Sequence, residues 1–419
     1  MRALAIDVGT GTQDVLLFDD AREIENCLRL VMPSPTVLIA ARIRAATATR
    51  RAIVLTGDTM GGGPSAWAAR DHAQAGLPVA ATPEAARTFD DDLTVVEALG
   101  VRIVEPLEAE HLLAHGAVHL GLRDVWLDEL ADAMARFDVD LRTVDAVALA
   151  VFDHGAAPPG VSDRRFRFER LRERLTAEPE AGPAAFAYRA EAIPPAFTRL
   201  AAAAGQARAW FMRVGATSGA DIPVLTMDTG PAAVLGALED VAARRALAAG
   251  RAVVAVNVGN FHTLAMHVVP APPGGTTTIA QGPGMPFRVA GIVEHHTGEL
   301  RRPLLARYLR ELSAGTVRDE DVFASMGHGA LVLPEVAARA APPARGRPRA
   351  TRGARPLLTV TGPRRELLRG SVVRGLGRPY PAVPHGDMMQ AGTFGLLRAL
   401  AYRLPEWRAP VAARLGDWG

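Results

Sequence analysis

The sequence predicts an α/β protein built from two similar lobes. Three observations predict it. The chain has 419 residues, more than a single compact core usually holds. Predicted strands alternate with glycine-rich loops and helices, the pattern of α/β units. One strand–turn–strand segment also occurs twice. We place the lobes at residues 1–247 and 248–419, with insertions in the first.

The repeated segment is a β-hairpin signal. In the first copy, residues 3–19, apolar runs flank a Gly/Thr turn, which predicts two antiparallel strands. The second copy begins at residue 253, an offset of 250 that maps Asp7 onto Asn257 and Gly9 onto Gly259. Such a repeat indicates two related lobes that face each other. Chance similarity between two hairpins is the alternative.

Other elements follow from apolar runs and their punctuation by Gly and Pro. Beyond the hairpins, we predict strands at 26–31, 52–55, 78–81, 101–104, 144–152 and 222–227. We predict helices at 36–49, 65–75, 126–137 and 232–247.

Composition excludes several classes of function. The chain has no lysine, so a Walker-A phosphate loop, a Schiff-base enzyme and a protein-kinase site each lack an essential residue. Its single cysteine, Cys27, cannot form an internal disulfide or a protein-only four-cysteine metal site. A net charge of +2 gives no whole-chain field for nucleic acid.

The same composition predicts a cytoplasmic protein without a membrane segment. No apolar run reaches the ~18 residues of a spanning helix, and no signal peptide is evident. We therefore expect no membrane and no nucleic-acid partner. The substrate is a small molecule or protein of unknown identity, and a homodimer stays open.

The first turn suits a phosphate. Gly9 and Gly11 would expose successive backbone N–H groups, a nest that binds anionic oxygens without lysine. Thr10 and Thr12 add hydroxyl donors. Asp7, at the strand end, could hold Mg²⁺ directly or through water, as carboxylates do beside nucleotide phosphates. An ordinary hairpin with glycines in its turn is the alternative.

Five segments in fixed order resemble the motifs of the superfamily of actin, sugar kinases, acetate kinase and heat-shock chaperone ATPases. They are the first phosphate motif (7–12), the first connecting motif (228–233), the second phosphate motif (257–260 with Thr263), the adenosine motif (358–363) and the second connecting motif (385–387 with helix 388–400). The resemblance implies two ribonuclease-H-like lobes, the actin-like ATPase fold, with ATP and Mg²⁺ between them.

The resemblance also implies which residues would bind the nucleotide. They are Gly9, Thr10, Gly11, Thr12, Gln13, Gly259, Asn260, Thr263, Gly362, Pro363, Gly386 and Asp387. Asp7 would be the Mg²⁺ ligand. The implied activity is that of an ATP-dependent small-molecule kinase or of an ATPase that drives a conformational change.

More narrowly, the chain resembles a family labelled as pyruvate formate-lyase activating enzymes. The similar stretches are 6–14, 33–36, 59–64, 153–155, 294–298, 327–329 and 361–363. Radical activation of that kind needs three cysteines for an iron–sulfur cluster. Since only Cys27 is present, the sequence disfavours this activity.

The second phosphate motif departs from the superfamily pattern, because Asn257 stands where an acidic residue is usual. An amide cannot act as a general base. A phosphotransferase would then need another carboxylate, and together with Asp7 the catalytic candidates are Asp228 and Asp153. Without such a base, the protein could be a nucleotide-binding sensor or scaffold that hydrolyses ATP slowly.

Histidines in turn-like contexts suggest a third class of function, a metal-dependent hydrolase. Asp153, His154 and Glu294 could form a metal site with some of His262, His328 and His385. His295 and His296 are neighbours on a strand and should face opposite ways. Hydrogen-bonded histidines or substrate contacts are the alternatives; the candidate substrate residues are Asp58, His154, Glu294, His295 and His296.

Three further segments have competing interpretations. The glycine loop 56–63 is either an anion-binding helix N-terminus or a close-packed turn. The arginines of 164–174 are either solvated on an amphipathic element or bind an acidic partner. The segment 339–355 is predicted to be a flexible loop rather than an RNA contact.

Overall fold

The computed structural model describes residues 1–216, 221–272, 284–339 and 355–418. Within these ranges the strands are β1 (Arg2–Val8), β2 (Thr12–Asp19), β3 (Leu28–Pro33), β4 (Ile53–Gly57), β5 (Val79–Ala81), β6 (Val101–Ile103), β7 (Val118–Leu122), β8 (Ala146–Val151), β9 (Ala187–Arg189), β10 (Val224–Asp228), β11 (Val253–Val258), β12 (His262–Pro270), β13 (Phe287–His296), β14 (Gly327–Val332), β15 (Leu357–Thr361) and β16 (Tyr380–Pro381).

The helices of the same ranges are α1 (Pro35–Ala48), α2 (Pro64–Gln74), α3 (Pro83–Ala86), α4 (Leu93–Ala98), α5 (Pro106–Ala114), α6 (Leu127–Ala135), α7 (Asp163–Ala177), α8 (Thr198–Val214), α9 (Thr229–Ala237), α10 (Val241–Ala248), α11 (Arg302–Ala314), α12 (Asp319–Ala324), α13 (Pro334–Arg339), α14 (Ala391–Arg403) and α15 (Arg408–Leu415). The fold is therefore mixed α/β, as predicted. Short 3₁₀ segments lie between these elements, and none of the described helices combines the length and apolar character needed to cross a bilayer.

Two six-stranded sheets share one arrangement. Numbered along the chain, these are the first and third sheets of the protein. The first sheet has the order β3-β2-β1-β8-β10-β9, and the third sheet has the order β14-β13-β12-β11-β15-β16. In each, an antiparallel meander (β1–β3 or β11–β13) is extended by a parallel strand beside its first member, β8 beside β1 and β15 beside β11. The parallel strands are needed for the site, because their carboxyl ends meet at one edge.

The structure confirms the hairpin repeat in detail. Val8 pairs with Gln13 in one hairpin, and Val258 pairs with Thr263 in the other. The turn hydrogen bond is also the same: the N–H of Gly9 donates to the carbonyl of Thr12, and that of Gly259 to the carbonyl of His262, both at 2.9 Å. The offset of 250 residues thus relates both strands and the turn.

The second sheet is smaller and parallel, with the order β6-β5-β4-β7. It is formed by residues between β3 and β8 in the chain. Its core is separate from those of the larger sheets and includes Ile53, Leu55 and Leu120. The predicted strands 52–55, 78–81 and 101–104 are confirmed as β4, β5 and β6, with ends shifted by one or two residues.

Helices α9 and α14 cross in close contact beside the first sheet. A Cβ at Gly236 would lie 1.7 Å from the carbonyl oxygen of Ala391, and one at Gly395 would lie 1.9 Å from that of Ala232. No side chain fits at either position, which explains two glycines inside helices where they cost stability. The crossing brings the N-terminal ends of both helices towards β1.

Three predictions about elements need correction. The single helix predicted at 232–247 is two helices, α9 and α10, because Glu239 bonds Arg398 and Asp240 accepts the Ala242 N–H at the start of α10. The helix predicted from residue 388 begins at Ala391, and the strand predicted at 26–31 is Leu28–Pro33. Of the predicted loop 339–355, residues 340–354 lie outside the described residues.

Candidate functional site

Acidic residues gather where three parallel strands of the first sheet end. Asp7 lies near the end of β1, Asp153 follows β8, and Asp228 ends β10. These strands run side by side, so their carboxyl ends meet at one edge. A cavity of about 370 Å³ lies there, lined by Asp7 and Asp153 and by Asn257 and Thr361 of the third sheet, whereas Asp228 is not part of its wall. Its volume is in the range of small-molecule sites, roughly 300–1,000 Å³.

The two hairpin turns face each other across this cavity. Gly9, Thr10 and Thr12 line it from one side, and Gly259 and Asn260 line it from the other. A Cβ added at Gly11 would lie 2.3 Å from Nδ2 of Asn260, so the turns touch at that point. The sequence predicted this juxtaposition from the repeat alone.

Two predicted nucleotide contacts lie elsewhere. The amide of Gln13 is buried and donates from Nε2 to the carbonyl of Pro33 at 3.1 Å. The hydroxyl of Thr263 is buried and shares a 2.9 Å hydrogen bond with that of Thr297. Neither residue lines the cavity, because alternate side chains of a strand face opposite ways.

The predicted adenosine segment borders the cavity near the third sheet. Gly362, with φ of 96°, and Pro363 line it. A Cβ at Gly362 would lie 2.5 Å from Oδ1 of Asn257, so only glycine fits. Gly386 and Asp387 do not line the cavity, although Met388, the next residue in the chain, does. The carboxylate of Asp387 accepts the N–H of Met389 at 3.0 Å.

Asp7 lies beside the N-terminal ends of α9 and α14. Thr229 donates its hydroxyl to Oδ1 of Asp7 at 2.5 Å, and a Cβ at Gly392 would lie 1.8 Å from Oδ2. Burial raises the pKa of Asp7 to about 7, although the Thr229 bond opposes the shift. A buried carboxylate in this position would gain from a cation.

Asp14 is a site residue that the sequence did not single out. It is the cross-strand partner of Asp7, lines the cavity, and has a buried Oδ1 that finds no hydrogen-bond partner in the described part of the chain. Burial, reinforced by the negative charges of Asp7 and Asp387, raises its pKa to about 8. The signal was present in the hairpin, since a tight turn after Val8 sets Asp14 opposite Asp7.

A buried arginine joins the acidic residues. Arg167 of α7 is 2% exposed and binds Asp228 (Nη1 to Oδ2, 2.6 Å) and Glu294 (Nε to Oε2, 2.7 Å). It also donates to the carbonyl of Asp153 at 2.9 Å. Burial opposes the charge on Arg167, but the two carboxylates outweigh it and raise its pKa.

Arg167 corrects the prediction that the arginines of 164–174 are solvated. It lies beside the buried Phe168, Leu171 and Leu175 on the apolar stripe of α7. That helical spacing was a signal that this one arginine faces inward.

Asp153 is held by backbone groups. Its carboxylate accepts the N–H groups of Gly155 at 2.8 Å and Leu200 at 2.9 Å. Burial raises its pKa to about 6, although these two bonds oppose the shift. The carboxylate therefore fixes the loop after β8 against the start of α8.

The glycine loop lines the cavity, whereas Asp58 does not. Gly61, Gly62 and Gly63 lie at the cavity wall before α2. The N–H of Gly61 donates to Asp124, which is also paired with the buried guanidinium of Arg199 at 2.7 Å. Asp58 is exposed and accepts a hydrogen bond from Gln206 at 3.0 Å.

The predicted histidine set divides. His154, His262 and His328 converge next to the cavity, with His296 beside them. His295 faces away and is within 3.1 Å of the Ser325 hydroxyl, so the expected opposition of His295 and His296 is confirmed. His385 lies apart against Phe394. Asp153 and Glu294 are not with the converging histidines, because backbone N–H groups and Arg167 hold their carboxylates.

Comparison with known proteins identifies one family. A family model described as "Putative pyruvate format-lyase activating enzyme (DUF1786)" matches residues 60–367, which include Gly61, Gly62 and Gly63 of the glycine loop, Arg167 and the second turn. No curated protein matches the chain. An exopolyphosphatase-like protein of known crystal structure aligns over 99% of this chain and 91% of its own, with 11% identity and a TM-score of 0.23. A likeness that weak carries no argument.

Proposed function

The chain belongs to the DUF1786 family, and we propose that it binds ATP with Mg²⁺ and transfers or hydrolyses the terminal phosphate. One observation carries the proposal: two glycine turns with the same internal hydrogen bond face a single cavity. Such turns present backbone N–H groups to phosphate oxygens, which a chain without lysine requires. Thr10 and Thr12 would add hydroxyl donors from the first turn.

The proposed fold is that of the actin-like ATPases, with ribonuclease-H-like lobes at residues 1–247 and 248–419. The shared strand order of the two large sheets supports it. The position of the cavity supports it too, because the nucleotide would lie between the related hairpins. Gly362 and Pro363 would contact the adenosine at the edge of the third sheet.

The residues present fit Mg²⁺. Asp7 and Asp14 are buried carboxylates on paired strands at the cavity, and Oδ1 of Asp14 has no partner among the described residues. Mg²⁺ prefers one or two carboxylates together with phosphate oxygens. It would neutralise charge on the phosphates, and Asp7 and Asp14 would hold it.

The candidate bases are constrained. Both oxygens of Asp228 bond Arg167, and the Asp153 carboxylate accepts two backbone N–H groups. A carboxylate bound in this way orients its neighbours more readily than it takes a proton. This favours slow hydrolysis over rapid transfer and leaves a nucleotide-binding sensor as the competing function.

Calorimetric titration of the whole protein with ATP and Mg²⁺, followed by an assay of ADP release, tests the proposal. Asp7→Asn keeps the side-chain shape and should weaken binding about tenfold or more, since a charged contact contributes roughly 1.5–3 kcal/mol. The matched control is Asp58→Asn, because Asp58 is exposed and outside the main cavity.

The three outcomes are distinct. Binding with ADP release that Asp7→Asn reduces supports an ATPase or kinase. Binding without release supports the sensor. No binding by the wild-type protein, or equal binding by both variants, rejects the nucleotide site.

A further inference from the structure

Three histidines from different elements converge beside the second turn. His154 follows β8, His262 begins β12 and His328 lies in β14. One ring nitrogen from each lies within 4.8 Å of the other two. Nε2 of His154 is 3.2 Å from Nε2 of His328.

These separations approach those of a metal centre. At a Zn–N distance of about 2.0–2.1 Å, two nitrogens on a tetrahedral ion lie about 3.3 Å apart. The His154–His328 pair already has this spacing. A closure of about 1.5 Å between the most distant ligand atoms would bring the third ring into place, and rotation of the histidine side chains can supply it.

Two buried ring nitrogens of the cluster, Nε2 of His262 and Nδ1 of His328, find no hydrogen-bond partner among the residues that the structure describes. Buried polar atoms are nearly always satisfied, so each such orphan in a native protein calls for an explanation. A cation held by Nε2 of His154 and of His328 would supply the missing partner of Nε2 of His262, whereas Nδ1 of His328, on the other side of its ring, would stay without one.

Burial lowers the pKa of His154, His262 and His328. A neutral imidazole keeps a lone pair for a metal. The convergence of one nitrogen from each ring is the observation on which the site depends.

Arginines lie close to the cluster and disfavour added positive charge there, so their carboxylate partners must offset them. The guanidinium of Arg167 lies 4.2 Å from the centre of the Phe152 ring, which stacks on His262 at 3.9 Å, and Arg199 donates to the Phe152 carbonyl. Arg164 approaches from α7 and donates to the carbonyl of Gly327. The carboxylates that face these groups are Asp124, Asp153, Asp228 and Glu294.

We propose that His154, His262 and His328 bind a divalent transition metal ion, of which Zn²⁺ is the best match. Imidazole suits Zn²⁺ and related ions, whereas Mg²⁺ prefers oxygen. Three histidines also leave a fourth coordination position, as in zinc sites that bind water or substrate. His154 and His262 line the cavity, so that position faces the space in which a substrate would lie.

His296 is the neighbour closest to completing the site. Its ring centre is 4.4 Å from that of His328 and 5.2 Å from that of His262. His296 could approach the ion as a fourth ligand in the absence of substrate. The proposal does not depend on this residue or on the nucleotide site.

The test is titration of tag-free, chelator-treated whole protein with ZnCl₂ by calorimetry, and with Co²⁺ followed by its visible d–d bands. One equivalent of Zn²⁺ should bind, and Co²⁺ should give the intense bands of tetrahedral coordination. His154→Ala and His262→Ala should each weaken Zn²⁺ binding more than the 10–100-fold typical of losing an outer-sphere partner.

His295→Gln is the matched control, since His295 is on the same strand as His296 but faces away. It should bind Zn²⁺ as the wild type does. Thermal unfolding in the presence of chelator checks that each variant folds. His154 and His262 are only half-buried, so they carry the test if His328→Ala is unstable.

The proposal is overturned if Zn²⁺ does not bind stoichiometrically, or if binding survives the double change His154→Ala and His262→Ala. Asp7→Asn should leave Zn²⁺ binding intact. A wild-type protein that binds Zn²⁺ but not ATP would reject the nucleotide proposal alone, and one that binds ATP but not Zn²⁺ would reject only the metal site.

Discussion

Arg167 and Glu294 form a buried ion pair between residues 127 positions apart, with Nε of Arg167 2.7 Å from Oε2 of Glu294. The same guanidinium binds Asp228 at the end of β10. The Arg167 side chain of α7 therefore links the carboxyl end of β10 in the first sheet to β13 in the third sheet. This link spans the candidate site and determines how its two sides are held.

We expect Arg167→Met to destabilise the fold by about 3–5 kcal/mol, the usual effect of removing one member of a buried ion pair. The change keeps an apolar stem of similar length but leaves Asp228 and Glu294 buried without their cation. Urea unfolding followed by circular dichroism measures the difference. Arg172→Met on the exposed face of α7 is the control and should shift stability by less than about 0.5 kcal/mol.

A decrease of less than about 1 kcal/mol in the free energy of unfolding of Arg167→Met would be typical of a weak surface salt bridge. It would contradict a structural role for the buried ion pairs of Arg167.

We expect Gly11→Ala to weaken ATP binding about tenfold or more, which corresponds to about 1.4 kcal/mol. The added Cβ would lie 2.3 Å from Nδ2 of Asn260, so the Asn260 side chain must move out of its position between the two turns. Calorimetry with ATP and Mg²⁺ measures the change. Gly205→Ala, at an exposed position of α8 with open space around it, should leave binding unchanged and stabilise the helix by roughly 0.5–1 kcal/mol. Equal affinity for the two alanine variants would show that the contact between the turns does not matter for binding.

The hairpins were predictable because their signals are local. Strand, turn and strand lie within about twenty residues, and the 250-residue offset repeats all three, so each copy supports the other. The positions of Gly9 and Gly259 at one cavity follow from that repeat. Gln13 and Thr263 were predicted to contact the nucleotide, but their side chains do not line the cavity. The phosphate motifs of the superfamily give the positions of residues along a strand and not the face that each side chain occupies.

The ion pairs and the histidine cluster depend on distant contacts. His154 and His328 are separated by 174 residues, and no sequence spacing marks their convergence. The break between α9 and α10 has a similar origin, since Glu239 is held by Arg398 of α14. The break lies where Asp240 caps the start of α10 and the neighbouring Glu239 pairs with Arg398.

We expect Gly395→Ala to destabilise the protein by about 3 kcal/mol or more, at or above the upper end of ordinary overpacking. Its Cβ would lie 1.9 Å from the carbonyl oxygen of Ala232, and backbone cannot rotate away as a side chain can. Chemical unfolding gives the free energy, with Gly205→Ala again as the control. A neutral effect would mean that α9 and α14 separate easily, and the N-terminal ends beside Asp7 would then not be fixed.

The last prediction concerns Asn257, which lines the cavity and contacts Gly362. In the proposed actin-like ATPase fold an acidic residue is usual at this position, and a carboxylate can take a proton from water or a hydroxyl where an amide cannot. If the protein binds ATP but lacks a free base, Asn257→Asp should raise the rate of ADP release by about a hundredfold, the lower end of general-base effects.

Asn257→Ala is the matched control, because it removes the amide without adding a carboxylate and should give no rise. Since Asp7 and Asp14 are close to the same cavity, the added charge should also make ATP binding more dependent on Mg²⁺. A gain confined to Asn257→Asp identifies the amide as the reason for slow turnover. If both variants release ADP at the wild-type rate, the base comes from elsewhere, and the constraint on Asp153 and Asp228 must be relieved when the nucleotide binds.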